Sequence, residues 1–148
     1  ILKDKTIMVS VRNYDQVVII KNNKIIKRFK KAWGVHDPTN VYKENGKSFF
    51  YYLNRGRPQS INKRSFDDVE AKPKKIWSST GGRKSAWTPL RTLEKLKNGN
   101  WLITGSQKIG QVTSDGELVW ELYFPEFRHQ KDKNKERTYI YKVTFINK

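Results

Sequence analysis

The chain has 148 residues, a formal net charge of +17 and a sequence pI near 10.1. Hydrophobic residues make up only 36%, yet aromatic residues reach 13%, which excludes a disordered chain, because disordered segments are poor in aromatics. Without cysteine there are no disulfides and no thiolate-held zinc, and no apolar run comes near the roughly 20 residues of a membrane-spanning helix.

The apolar residues are chiefly Val, Ile, Phe, Trp and Tyr, which suit a pleated surface, and no long stretch has a 3.6-residue period. The expected elements are therefore strands. The first three fall at 6–11, 15–20 and 24–29, with Asn22-Asn23 supplying the positive φ angles of a hairpin turn between the last two. Asn45-Gly46 launches the next strand at 48–53, followed by 60–66 and 75–79. The polar stretch Asp67 to Lys74, which contains Pro73, reads as a loop. Strands are then expected at 89–95, at 100–104 after Asn98-Gly99, at 108–113 and 117–122 around the turn Asp115-Gly116, and at 138–145. Trp77 and Trp120 occupy equivalent third-strand positions and are expected in the core between neighbouring sheets.

These elements repeat. Leu2–Ser10 aligns with Leu96–Thr104, and Lys43–Tyr51 has the same form. In each unit a polar turn launches an apolar strand, a second strand follows, and a tight turn or polar loop leads to a third. This order predicts an all-β fold of about three four-stranded antiparallel β-propeller blades, in units of about 1–42, 43–95 and 96–148. Three blades leave two sheet flanks open, so the remaining blades are expected from the same polypeptide or from a partner chain. The chain opens on Ile1 rather than Met, which also points to a segment upstream.

The basic residues are spread along the chain, and the densest run, Lys27-Arg28-Phe29-Lys30-Lys31, is short. With no helical or Arg-rich reading face, this pattern favours a surface that attracts small anions over one that binds nucleic acid. The lack of cysteine fits a periplasmic or extracellular protein, and a cytoplasmic one as well.

The string Asp115-Gly116-Glu117-Leu118-Val119-Trp120-Glu121, following Leu96-Lys97-Asn98-Gly99-Asn100-Trp101-Leu102-Ile103-Thr104, resembles the blade motifs of the bacterial arylsulfotransferase family. The segments Val9–Asn13 and Gly34–Thr39 resemble that family's blade openings, and Arg137–Val143 its terminal strand; the likeness spans about residues 6 to 143. The resemblance implies a portion of a six-bladed propeller whose channel histidine takes a sulfuryl group from a phenolic sulfate ester and passes it to another phenol. Its partner would then be an anionic aryl sulfate or a similar small anion.

Two histidines are present. His36, in Val35-His36-Asp37-Pro38-Thr39, is the candidate nucleophile; by itself the motif is equally readable as a turn shaped by Asp37-Pro38. Asn54, Arg55 and Arg57, after the strand at 48–53, and Arg12 with Asn13, at the same place in the preceding unit, are candidate anion-binding residues; by themselves both segments also read as solvated hairpin loops. A guanidinium fork matches two oxygens of a sulfate. His129 lies in a charged run that reads as a surface loop. No metal-ligand spacing is present, and Gly81-Gly82-Arg83-Lys84-Ser85 lacks the spacing of a phosphate loop, so no metal and no cofactor are expected. A non-catalytic propeller acting as an interaction or structural module is the alternative, since a fold does not fix a function.

Overall fold

The computed structural model describes residues 6–56, 58–80, 85–127 and 140–144. Twelve strands are present among them, with one 3-10 turn at Arg12–Tyr14 and no α-helix. They form three antiparallel sheets. The first contains β1 (Ile7–Val11), β2 (Gln16–Lys21) and β3 (Lys24–Phe29) in sequential order. In the second, β6 (Lys47–Asn54), β7 (Ser60–Ser65) and β8 (Lys74–Ser78) follow an innermost strand split into β4 (Val35–His36) and β5 (Tyr42–Glu44), both paired with β6. The third runs β9 (Thr92–Lys95), β10 (Trp101–Thr104), β11 (Lys108–Val112) and β12 (Leu118–Tyr123).

The turns obey the local chemistry. Asn22 and Asn23 both have positive φ (49° and 59°), as do Asn45 and Gly46 (49° and 75°), the mirror-image turn that keeps strand twist continuous across a hairpin. At Asp115-Gly116 only Gly116 takes positive φ, at 105°. The loop is closed instead by Thr113, whose hydroxyl donates to the Asp115 carboxylate and whose N–H donates to the Glu117 carbonyl.

The second sheet binds the other two by strict alternation along β6. Phe50 and Tyr52 point into one cluster with Val17, Ile19 and Phe29 of the first sheet. Tyr51 and Leu53 point the opposite way, into a cluster with Leu93, Trp101, Ile103 and Val112 of the third. Four consecutive buried residues in one strand are what a sheet covered on both faces requires.

Three expectations are corrected. Trp120 is 36% exposed on the outermost strand β12, with its indole N–H donating to the Gln111 side chain. The tryptophans buried in the cluster between the second and third sheets are Trp101 and Trp87, while Trp77 packs at its margin. Residues 140–144 pair with no strand among the described residues, and the rest of the expected strand at 138–145 lies outside them. The strand expected at 89–95 begins at Thr92. Before it, the Leu90 N–H is held by the Gln59 side chain and the Arg91 N–H by the Thr104 carbonyl.

Candidate functional site

The site lies where β4 meets the ends of β1 and β6. His36 is in strand β4 itself, opposite Leu53, rather than in a loop leading to a strand. The stretch Asp37-Pro38 then breaks the innermost strand before β5 resumes at Tyr42. Arg12 directly follows β1, and Arg55 directly follows β6, so the two repeats deliver a guanidinium at equivalent positions. In the third sheet the equivalent position after β10 is Gly105. A Cβ there would come within 2.6 Å of the Trp87 backbone, so no side chain is tolerated. A third guanidinium comes instead from Arg91, one residue before β9.

These groups act on one another. Burial, and then the Arg55 charge, hold His36 below the ordinary imidazole value of 6.5; Arg91 and Arg12 add to this, and Asp37 opposes it. Arg55 is itself lowered, first by burial and then by Arg12 and Arg91. The Asp37 carboxylate is tied to the Leu93 N–H at 2.7 Å, and the His36 Nδ1 is buried with no hydrogen-bond partner among the described residues. His36, Asp37, Arg91 and Tyr141 line a cleft of about 460 Å³, in which the Arg91 guanidinium sits 6.0 Å from the Tyr141 ring centre.

The arrangement is scaffolded by Asp15. Its carboxylate accepts the Gly34 N–H at 2.6 Å, and its carbonyl accepts the Ala32 N–H at 2.8 Å. The loop before β4 is thereby fastened to the turn that carries Arg12. Gly34 has φ 53°, and its carbonyl accepts the Arg55 N–H at 3.2 Å, so the Arg55 loop is anchored there too.

The charges of Arg12 and Arg55 reach His36, but neither side chain lines the cleft that holds it, and Arg12 is exposed. Asn13 lies exposed in the Arg12–Tyr14 turn. The Asn54 side-chain oxygen accepts the Gly56 N–H at 2.7 Å and shapes the Arg55 loop from within. Arg57 and His129 lie outside the described residues. Arg91, Asp15 and Tyr141 were not legible as site residues, because only the stacking of sheets brings them to this end. The described residues contain no group of three or more His, Asp or Glu side chains placed to hold a metal ion.

The lowered His36 value carries a stability consequence. From pH 6.5 downward the unfolded chain binds more protons at this position than the folded one, so folding free energy is lost as pH falls. Denaturant melts of wild type and His36→Gln are expected to show wild type losing stability relative to the variant between about pH 7.5 and about pH 5. A constant difference across that range would contradict the depressed imidazole.

No protein-family model matches the chain, and no curated protein sequence does. Solved structures do. The chain is similar to virginiamycin B lyase from Staphylococcus aureus, with a TM-score of 0.60 at 16% identity, over 84% of this chain and 40% of that one. It is similar to a streptogramin B lyase structure, with a TM-score of 0.57 at 15% identity, over 83% of this chain and 38% of that one. A Bacteroides caccae protein of unknown function matches with a TM-score of 0.53 at 12% identity, over 80% of this chain and 42% of that one. The chain therefore spans about 40% of the length of these structures. At such identities the likeness speaks for the fold, and with the three stacked antiparallel sheets it shows this chain to be built of β-propeller blades.

Proposed function

We propose that these blades belong to a propeller that binds an anionic ester at one end of its channel and transfers its sulfuryl group through His36. The observation that carries the reading is a half-buried imidazole, held unprotonated at neutral pH, within the field of three guanidinium groups. Arginine is the natural donor to the sulfuryl oxygens, on which negative charge grows during transfer. A neutral imidazole supplies the lone pair.

In the first step a ring nitrogen of His36 attacks sulfur, the N–S bond forms, and the aryl O–S bond breaks with its electron pair leaving on the phenolate. In the second, an acceptor phenol oxygen attacks the same sulfur, the N–S bond breaks, and the phenolic proton passes to solvent. The Arg12, Arg55 and Arg91 guanidiniums neutralise the sulfuryl oxygens throughout. No cofactor is required by this chemistry.

The test is transfer from a phenolic sulfate to a second phenol, measured for wild type, His36→Gln and Arg55→Met. Loss of one charge-stabilising donor is expected to lower the rate by about 10²–10³-fold, and loss of the nucleophile to abolish transfer. Full transfer by His36→Gln would remove His36 as nucleophile. If wild type binds aryl sulfate without transferring it, and Arg55→Met weakens that binding, the same end is an anion-dependent docking surface of a non-catalytic module.

A further inference from the structure

A second cleft, of about 700 Å³, opens between the second and third sheets at the end of the molecule remote from His36. His36 lies opposite Leu53 on β6, whereas Glu44 of this cleft lies opposite Lys47; at about 3.4 Å per residue, β6 separates the two ends by about 20 Å. The strand register accounts for the lining. Lys63 on β7 is opposite Tyr51 on β6 and opposite Lys74 on β8, so all three side chains share the face turned to the third sheet. Lys95, the last residue of β9, adds an ammonium from the third sheet, and Lys72 adds one from the loop before β8. On the outer side the two sheets touch. A Cβ at Gly116, in the turn between β11 and β12, would collide with the Ile76 carbonyl of β8, so glycine lets this turn close the cleft.

Four lysines meet two carboxylates in this cleft. Asp115 is exposed and accepts the Thr113 hydroxyl. Glu44 pairs with Lys63 and accepts the Tyr51 hydroxyl at 2.7 Å. Burial opposes the ionisation of Glu44, but the hydrogen bonds from Lys63 and Tyr51 and the charges of Lys63 and Lys95 outweigh it and hold the carboxyl below its ordinary value. One carboxylate therefore serves two lysines, while Lys72 and Lys74 have no carboxylate partner among the described residues. Like charges directly opposite each other on a sheet face, as Lys63 and Lys74 are, destabilise it. Aromatic rings hold two of the ammoniums at the cleft: Lys95 lies 4.6 Å from the Tyr42 ring centre and 5.1 Å from that of Trp101, and Lys63 lies 4.1 Å from that of Phe49.

We propose that this cleft binds a small organic phosphate monoester, with the phosphate between the Lys63, Lys74 and Lys95 ammoniums and the organic part against Phe49, Tyr51 and Ile76. An ammonium is a compact charge with three donors, suited to the oxygens of a phosphate. A monoester phosphate carries close to two negative charges at neutral pH, which matches the surplus of lysines over carboxylates in the cleft. The cleft is larger than a bare oxyanion needs and falls within the size range of small-molecule sites. Its walls come from the adjacent second and third sheets alone, and it stands apart from any sulfuryl transfer at the His36 end.

The test is calorimetric titration with phenyl phosphate at about pH 8, where the ester is a dianion, in about 0.1 M salt to screen diffuse attraction. Saturable binding is expected in wild type and is expected to persist in Arg55→Met, which alters the other end. Lys74→Gln and Lys95→Gln are each expected to raise Kd by about ten-fold, the effect of losing one hydrogen bond to a charged group. Lys24→Gln, at an exposed position on the first sheet, is expected to leave Kd unchanged. Inorganic phosphate, which has no organic part, is expected to bind more weakly. Lys74→Gln alters an exposed side chain and relieves a like-charged pair, so without ligand it is expected to melt no lower than wild type, and it decides the matter if Lys95→Gln does not fold. Absence of saturable binding overturns the proposal. So does binding that Arg55→Met abolishes, which belongs to the His36 end, or binding that Lys24→Gln weakens as much as Lys74→Gln, which belongs to the basic surface at large. Equal affinity for inorganic phosphate overturns the cleft as a site for an organic ester.

Discussion

Trp101→Ala is expected to lower the unfolding free energy by about 3–5 kcal/mol, the range for deleting a large aromatic side chain from a packed interior. Trp101 has no exposed surface and is the largest fully buried side chain of the molecule's described part. Its ring centre lies 4.3 Å from that of Tyr51 and 6.0 Å from that of Tyr42, and the Lys95 ammonium sits 5.1 Å from it. The second and third sheets meet through this cluster, so the cavity cannot be filled without moving a strand. Trp101→Phe is expected to cost clearly less. It keeps an aromatic wall and removes an indole N–H that is buried with no hydrogen-bond partner among the described residues. Urea melts read both values; a cost below about 1 kcal/mol for the alanine variant would mean that the seam between these sheets is loosely packed.

Arg64→Met is expected to cost about 2 kcal/mol, because it removes two hydrogen bonds from a mostly buried fork and leaves their acceptors without a donor. Arg64, on β7, is only 4% exposed. One guanidinium nitrogen donates to the Lys30 carbonyl at 2.5 Å and the other to the Val69 carbonyl at 2.8 Å. The guanidinium carbon lies 5.4 Å from the centre of the Phe29 ring. The side chain thus clasps the end of β3 to the loop before β8. Burial lowers its basicity, with Tyr52, Glu70 and Asp68 opposing that shift. Arg64→Lys is expected to recover less than half of the loss, since one ammonium cannot reach two carbonyls in fork geometry. Equal stability of the Lys and Arg proteins would refute the clasp.

The strand class, most of the turns and the repeat were legible in the amino-acid order alone. The reasons are local. Asn22-Asn23 and Asn45-Gly46 accept positive φ at little cost, and period-2 runs of branched and aromatic residues stay ambiguous only about which face they bury. The equivalence of Arg12 and Arg55 was legible for the same reason, because both directly follow the repeat's best-marked strand. Short elements were not legible. β4 has two residues and β5 three, too few for any periodicity, and they exist because β6 offers them a free edge. Which tryptophans are core, Trp87 and Trp101 rather than Trp120, follows from the packing of the sheets alone. Trp101 and Trp120 both sit in apolar strands, but Trp101 faces the second sheet, whereas Trp120 lies on the outermost strand facing away from it. Sheet packing also decided the composition of the cationic site. Arg91 lies 55 positions beyond His36 in the chain, and their electrostatic coupling arises from the packing of the third sheet on the second, through the Asp37 carboxylate held on the Leu93 N–H.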